Sequence, residues 1–248
     1  MAKRSCSGAR RPGIDPLKAA DVSRRLRAWF RRKGRHLPWR DTRDPYRVLV
    51  SELMLQQTQV ARVLDFYERF LERFPSLRHL SDAAPRDVMA AWEGLGYYAR
   101  ARNLHALSRL VVREGNGTLP SDVAHLTALP GIGPYTAGAV ASFAFEKRAS
   151  LVDTNVARVI ARVFAPHLRS KRPRDLKRIW AIAEAIVPPR GKTGWSHNQA
   201  IMELGALVCT ARVRHCDACP LKRQCLTRQR ELKPRPRRAS AGRPSVMA

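Results

Sequence analysis

The sequence predicts an all-α fold, because apolar residues recur at helical spacing and no segment alternates apolar and polar residues as a strand does. One predicted helical stripe lies within residues 51–64 and contains Leu53, Met54, Val60, Val63 and Leu64. A second stripe further along the chain contains Tyr98, Ala101, Leu104, Leu107 and Val111. No internal repeat at a fixed period accompanies these stripes.

Polar residues that favour helix starts support further helices in the rest of the chain. Such signals precede three more apolar segments, which begin near Ser121, Asp175 and Ser196. We therefore expect helices to follow one another along most of the sequence between its two ends.

The charge of the chain indicates a polyanionic partner. The sequence has 47 Lys and Arg residues against 20 Asp and Glu residues, a formal net charge of +27 in 248 residues. Basic residues occur throughout rather than in one tail, so binding to a polyanion would depend strongly on salt. A coding bias toward Arg is the alternative explanation, but it does not account for the shortage of acidic residues.

Neither end of the chain has the pattern of a membrane or export segment. No stretch of 18 apolar residues is present, and the basic N-terminus lacks the apolar run of a signal peptide. We expect no membrane association and a cytoplasmic location, with the nucleoid as the site in a bacterium. Residues 1–15 and 228–248 are basic and poor in apolar residues, which predicts a disordered arm and a disordered tail.

A glycine turn is followed at short distance by a lone carboxylate. Gly131-Ile132-Gly133 separates two predicted short helices, at residues 126–129 and 137–145, and Asp153 follows them. Glycines allow backbone N–H groups to approach a ligand closely, and turn amides beside a helix N-terminus attract phosphate. This pairing favours DNA chemistry over the alternative interpretation, an ordinary connection between two helices.

Four of the five cysteines fall within 17 residues, with six, two and five residues between them: Cys209, Cys216, Cys219 and Cys225. Without a secretory signal, disulfides are not expected, and a metal site is the remaining interpretation. Tetrahedral zinc and an iron-sulfur cluster both use four thiolates, so the spacing alone leaves these two open. Cys6, alone in the basic arm, is interpreted as a free thiol without function.

These features together resemble the adenine DNA glycosylases, the MutY type of the helix-hairpin-helix or endonuclease III superfamily. Beyond the hairpin, Asp153 and the cysteine spacing, the resemblance rests on Leu37–Arg40, Ser51–Val60, Trp92–Tyr98 and Asn198–Gly205. It runs from about residue 16 to residue 227. The resemblance implies a 4Fe-4S cluster held by the four cysteines and places iron-sulfur above zinc.

The resemblance also implies an architecture of two helical domains that flank a DNA-binding cleft. A six-helix domain with the helix-hairpin-helix would cover residues 39–145. The cluster domain would combine an N-terminal helix, within residues 16–38, with residues 146–227. Glu52 and Asp153 would then face each other across the cleft, one from each domain.

By the same resemblance, Glu52 is the acid that protonates adenine and Asp153 is the carboxylate that stabilises the positive sugar. Asn155 and Tyr135 match positions that support these two groups. Without the resemblance, the simpler interpretations are helix caps for Asp153 and Asn155, a core aromatic for Tyr135 and a solvated surface carboxylate for Glu52. Strand-nicking members of the superfamily have Lys at the position of Tyr135, so we expect an enzyme that leaves an abasic site.

The resemblance further implies residues that contact DNA. Gln57 and Tyr97 match residues inserted into the duplex when the target base is flipped out. Three residues match positions that line the adenine pocket: Leu37, Arg40 and Gln199. Gly131 and Gly133 belong to the hairpin that binds the phosphate backbone. We expect a monomer that acts on double-stranded DNA containing adenine mispaired with 8-oxoguanine or guanine.

Two departures from the family pattern bear on these expectations. Thr154 stands where the family commonly has Gly, and a β-branched residue would resist a positive φ and re-aim Asp153. The sequence ends soon after Cys225, so we expect a short form without the C-terminal domain that checks for 8-oxoguanine. One other hypothesis is a thymine glycosylase acting on T:G mismatches, and the Leu55–Thr58 segment argues against it. Another is a non-catalytic DNA-binding protein, and the presence of both Glu52 and Asp153 argues against it.

Overall fold

The computed structural model describes residues 13–232, and within this range the chain is helical. The predicted basic arm and tail lie outside it, apart from residues 13–15 and 228–232, and Cys6 lies outside it as well. Residues 228–232, expected to be disordered, instead continue a helix that begins at Leu226. Two surface ion pairs connect this segment to the preceding loop, Arg228 with Asp217 and Glu231 with Arg214.

Twelve α-helices occur in residues 13–232 and confirm the all-α fold. They are α1 (Pro16–Lys33), α2 (Pro45–Leu55), α3 (Val60–Arg73), α4 (Leu77–Asp82), α5 (Pro85–Ala91), α6 (Ala99–Gly115), α7 (Val123–Thr127), α8 (Pro134–Phe143), α9 (Thr154–Phe164), α10 (Pro173–Ile186), α11 (Gly191–Leu207) and α12 (Leu226–Leu232). The range expected to hold six helices contains seven, α2 to α8.

Proline and aspartate define many of the helix starts. Proline occupies the first position of five α-helices, where its missing N–H and fixed φ suit the first helical turn. Asp15 and Asp44 precede two of these prolines, and their side chains accept hydrogen bonds from the first backbone amides of α1 and α2. Such caps contribute about 1 kcal/mol each.

The helices form two groups around one continuous apolar core. In the first group α2 packs on α3, α6 and α8, with α4 and α5 against α6 and α7 against α8. In the second group α1 packs on α10 and α11, while α9 packs on α10, α11 and α12. The N-terminal helix therefore joins the C-terminal segments. Buried aromatic residues anchor the first group, where Phe70 meets Trp92 edge to face at 5.6 Å.

The predicted helical stripe over residues 51–64 is wrong as a single helix. The structure ends α2 at Leu55 and starts α3 at Val60, and Leu64 is 37% exposed. Gln57, in the connecting turn, has φ 58°, which no helix continues through. A second difference is smaller: α11 begins at Gly191, five residues before Ser196.

No β-strand occurs in the described part of the chain, where a single bridge pairs Cys209 with Arg214. Within the same range, none of the helices is both long and apolar enough to cross a bilayer.

Candidate active site

A cleft of about 710 Å³ lies where the two groups of helices meet. Side chains from α2, α8, α9 and α11 line it, together with the segment that follows α1. Seven of the residues singled out from the sequence meet in this one cleft: Leu37, Arg40, Glu52, Tyr135, Asp153, Asn155 and Gln199. Their sequence separations reach well over one hundred residues, so only the tertiary fold brings them together.

Glu52 is a buried carboxyl on the last turn of α2, with 3% of its surface exposed. Tyr135, on α8, donates its hydroxyl to Glu52 Oε2 at 2.9 Å. Burial raises the pKa of Glu52 from 4.5 to about 7, and the Asp153 charge adds to the rise, while Tyr135 and Arg40 oppose it. Glu52 can therefore hold a proton near neutral pH.

Asp153 caps the N-terminus of α9 and also faces the cleft. Its Oδ1 accepts from the Val156 amide at 2.6 Å, and its Oδ2 accepts from Asn155 Nδ2 at 3.0 Å. Burial raises the pKa of Asp153 above its usual value, although these hydrogen bonds and Arg158 oppose the rise. Thr154 is the first residue of α9 and is not among the residues with positive φ. The expected strain at Thr154 is thus absent.

A polar network on the α11 side of the cleft involves two residues that the sequence did not single out, Glu203 and Arg35. Glu203 is buried and accepts two side-chain hydrogen bonds from Arg35, each 2.8 Å, and one from Arg40 Nη2 at 2.9 Å. Burial alone would raise the pKa of Glu203, but these arginines lower it to about 2. Arg40 in turn donates through Nε to Gln199 Oε1 at 2.8 Å. One signal in the sequence could have indicated Glu203, because it lies one helical turn from Gln199.

The hairpin between α7 and α8 contains the two glycines. Gly131 has φ 75°, and a Cβ there would lie 2.5 Å from the Asn103 Cβ, so only glycine fits. Gly133 caps α8, and the space where its Cβ would lie is open. By helix geometry the first amides of α8 lack intrahelical partners, which makes this end suited to an anion.

Gln57 and Tyr97 lie outside the cleft, on neighbouring loops that border a second cavity of about 880 Å³. Both have left-handed backbones, with φ of 58° and 49°, a conformation that costs about 1–2 kcal/mol in a non-glycine residue. Tyr97 is 59% exposed. Arg100, which sequence reasoning missed, is buried beneath both loops and donates to backbone oxygens of each.

The four clustered cysteines line one further cavity of about 440 Å³, beside α9 and the end of α11. Within residues 13–232, no three His, Cys, Asp or Glu side chains converge closely enough to hold a single metal ion. Burial raises the pKa of the Cys219 thiol to about 11, and the other three cysteines add to the rise, which reflects their proximity. Arg162 Nη1 lies 3.3 Å from Cys209 Sγ.

Comparison with known proteins agrees with this fold. A model of the HhH-GPD superfamily of base excision DNA repair proteins matches residues 50–189, more than half of the 248 residues. The chain belongs to the HhH-GPD superfamily. The matched range includes Glu52, the hairpin and Asp153.

Similar proteins within the superfamily include several adenine DNA glycosylases. The Mycobacterium tuberculosis protein is 44% identical over 197 residues, which cover 79% of this chain and 64% of the relative. The human protein is 42% identical over 214 residues, which cover 83% of this chain and 39% of the relative. The chain therefore spans less than two thirds of the length of either of these HhH-GPD relatives.

Two solved structures share this architecture. A thermostable thymine-DNA glycosylase superposes with a TM-score of 0.78 at 28% identity, covering 86% of this chain and 98% of that one. An endonuclease III in a non-covalent complex with DNA superposes with a TM-score of 0.71 at 24% identity, covering 88% and 98%. The second likeness bears on the fold alone.

Proposed function

We propose that the protein is a monofunctional DNA glycosylase that hydrolyses the N-glycosidic bond of adenine mispaired with 8-oxoguanine or guanine. One observation carries the proposal: a buried carboxyl with a pKa of about 7, Glu52, shares a cleft with a second carboxylate, Asp153. Two carboxyl groups with separated roles are what glycosidic bond cleavage needs. The 44% identity to an adenine DNA glycosylase supports adenine as the base.

Glu52 is the proposed general acid. Adenine leaves poorly as an anion, so its departure requires protonation of the base, and an acid works best when its pKa lies near the operating pH. Burial supplies this pKa, and the Tyr135 hydroxyl fixes Oε2 by a 2.9 Å hydrogen bond. The other oxygen, Oε1, is then the one that carries the proton to adenine.

Asp153 is the proposed electrostatic partner of the sugar. As adenine departs, the sugar becomes oxocarbenium-like and positive, and a fixed carboxylate nearby lowers the energy of that state. The α9 N-terminus and Asn155 orient Asp153 through hydrogen bonds to both of its oxygens, and these bonds favour the charged form against the effect of burial. Asn155 is itself oriented by Arg158, whose Nη2 donates to Asn155 Oδ1 at 2.6 Å.

The residue at position 135 supports hydrolysis without strand cleavage. A lyase needs an amine that forms a Schiff base with the sugar, and no Lys occurs between Leu129 and Glu146. Tyr135 instead donates its hydroxyl to Glu52, and burial raises the pKa of Tyr135, so the phenol stays neutral. The product of this reaction is an abasic site.

The remaining assigned residues would handle the DNA. Gln57 and Tyr97, exposed on neighbouring loops, would fill the step that the flipped base vacates. Gly131 and Gly133 would let the hairpin amides approach a phosphate. Three cleft residues would surround the base: Leu37, Arg40 and Gln199. The net charge of +27 supports the necessary affinity for the duplex.

The four cysteines would hold a 4Fe-4S cluster. All four cysteines line one cavity, and four thiolates are the ligand set that such a cluster uses. The bound cluster would cross-link the segment 209–225, which has little apolar core of its own; of the residues there, Leu221 is the fully buried one.

The thymine glycosylase hypothesis has one observation in its favour, the TM-score of 0.78 with a thymine-DNA glycosylase. Its 28% sequence identity is well below the 44% identity with an adenine glycosylase, which favours adenine. A non-catalytic role is weaker still, because binding DNA has no need of a buried carboxyl with a raised pKa.

The test uses duplexes that carry one A:8-oxoguanine, A:G or T:G pair, incubated with protein and then treated with or without alkali. We expect breaks in the adenine strand of the first two duplexes, only after alkali. Breaks in the T:G duplex alone would establish the thymine activity instead. Strand breaks without alkali would refute the monofunctional assignment.

A further inference from the structure

Arg100 is a buried arginine whose guanidinium joins the loop that carries Gln57 to the loop that carries Tyr97. It is 7% exposed and lies one residue inside α6. Nη1 donates to three backbone oxygens of the first loop and the α2 end that precedes it, at 2.6–2.8 Å: Leu53, Met54 and Gln56. Nη2 donates to Thr58 Oγ1 at 3.1 Å and to two oxygens of the second loop, at 2.9–3.3 Å: Leu95 and Gly96.

These contacts explain why α2 ends where it does. The last carbonyls of a helix have no partner within it, and two of those of α2 accept from Arg100 instead. The negative end of the helix dipole also favours a cation there. Within residues 13–232, Arg100 forms no ion pair with a carboxylate. Its guanidinium donates only to uncharged oxygens, which are backbone carbonyls and the Thr58 hydroxyl.

The two residues on the joined loops are the ones with unusual backbones. Gln57 and Tyr97 both have positive φ, and such conformations persist only where the surrounding structure fixes them. Arg100 also contacts Tyr97 directly, since its guanidinium carbon lies 5.4 Å from the centroid of the exposed ring. One side chain therefore fixes both loops and supports the ring that one of them presents.

We propose that Arg100 is a positioning residue, which holds Gln57 and Tyr97 ready for insertion before DNA binds and so promotes extrusion of the target adenine. This inference rests on the proposed function, because it requires a base that leaves the duplex. Arg100 does not itself line the cleft, and its one contact with a cleft residue is the hydrogen bond to Thr58. Its loss would slow extrusion and leave the chemistry of Glu52 and Asp153 in place.

The test measures extrusion without base release. In a Glu52→Gln background, a fluorescent 2-aminopurine placed beside the target adenine brightens when its neighbour unstacks. We expect the rate of this rise on an A:G duplex to fall about 10- to 100-fold when Arg100→Met is added. Arg109→Met is the matched control, because Arg109 is an exposed arginine on the same helix, and we expect its rate to equal that of the background.

A second duplex separates positioning from general damage to the fold. When the adenine lies opposite an abasic-site analogue it is already unpaired, so extrusion requires less help. We expect the Arg100→Met defect to shrink to about threefold on this duplex, whereas a distorted protein would be equally impaired on both. Equal defects on the two duplexes would overturn the proposal.

Two milder variants keep the test valid if Arg100→Met does not fold. Arg100→Lys supplies at most three donors for the seven oxygens, which include the Tyr97 carbonyl that accepts from Nε, and Thr58→Val removes one acceptor while keeping the side-chain shape. We expect both to slow extrusion on the A:G duplex, Arg100→Lys more than Thr58→Val. If the folded variants extrude adenine at unchanged rates, the role of Arg100 is overturned but the proposed function is not. If the Glu52→Gln protein with Arg100 intact gives no fluorescence rise, the proposed function is overturned as well.

Discussion

Glu52 should make the folded protein less stable as the pH rises, and Glu52→Gln should remove this dependence. Burial raises the pKa of Glu52 from 4.5 to about 7, so the folded state prefers the protonated acid. The corresponding stability is fully present below pH 4.5 and is lost as the pH rises through 7. At about 1.4 kcal/mol for each pH unit between these two pKa values, the loss is about 3 kcal/mol.

A glutamine at position 52 cannot ionise, so the variant escapes this loss. The free energy of unfolding of Glu52→Gln relative to wild type should therefore increase by about 3 kcal/mol between pH 4.5 and pH 8. Urea unfolding at several pH values, followed by circular dichroism, measures the difference. Glu72→Gln is the control, because Glu72 is exposed. The free energy of unfolding of this variant should change with pH as that of wild type does. A constant difference between Glu52→Gln and wild type over this range would refute the raised pKa and its burial origin.

Other expected outcomes concern the rest of the cleft and the cysteines. Asp153→Asn should slow single-turnover adenine release by about 10² to 10³, because it removes the charge but keeps a capping residue; a loss below threefold would leave Asp153 only the cap role. Tyr135→Lys should yield a borohydride-trapped complex with substrate DNA that wild type does not form, and its absence would contradict the placement of Tyr135 near the sugar. Glu203→Ala should lower the free energy of unfolding by about 3–5 kcal/mol, measured by urea unfolding, since two arginines lose their buried partner. Purified protein should contain iron rather than zinc by metal analysis, and Cys219→Ser should lose it; one zinc per chain would overturn the cluster assignment.

Helical periodicity predicted elements well where local packing decides them. In the second predicted stripe, the residues from Ala101 to Val111 lie within α6 and face the core, whereas Tyr98 precedes the helix and is 39% exposed. Periodicity failed at residues 56–59, where the stripe continues but the helix does not. The cause is a contact with Arg100, more than forty residues away, and periodicity carries no information about such partners.

Some residues of the candidate site could be predicted from the sequence, and others could not. Glu52, Tyr135 and Asp153 were singled out because the sequence matches motifs around them, and the fold brings them into one cleft. Glu203 was missed although it lies within one of those motifs, because an acidic residue on a helix is usually solvated. Its burial depends on Arg35, 168 positions away, and on Arg40. Only the tertiary structure reveals that pairing.

Under the proposed function, Glu52 drives hydrolysis of adenine from a mispair. The most direct measurement is chromatographic detection of free adenine released from an A:G duplex, by wild type and by Glu52→Gln, under single-turnover conditions. We expect one adenine per duplex from wild type and none from the variant, with duplex affinity retained in both. Equal adenine release by the two proteins, or none by wild type, would contradict it.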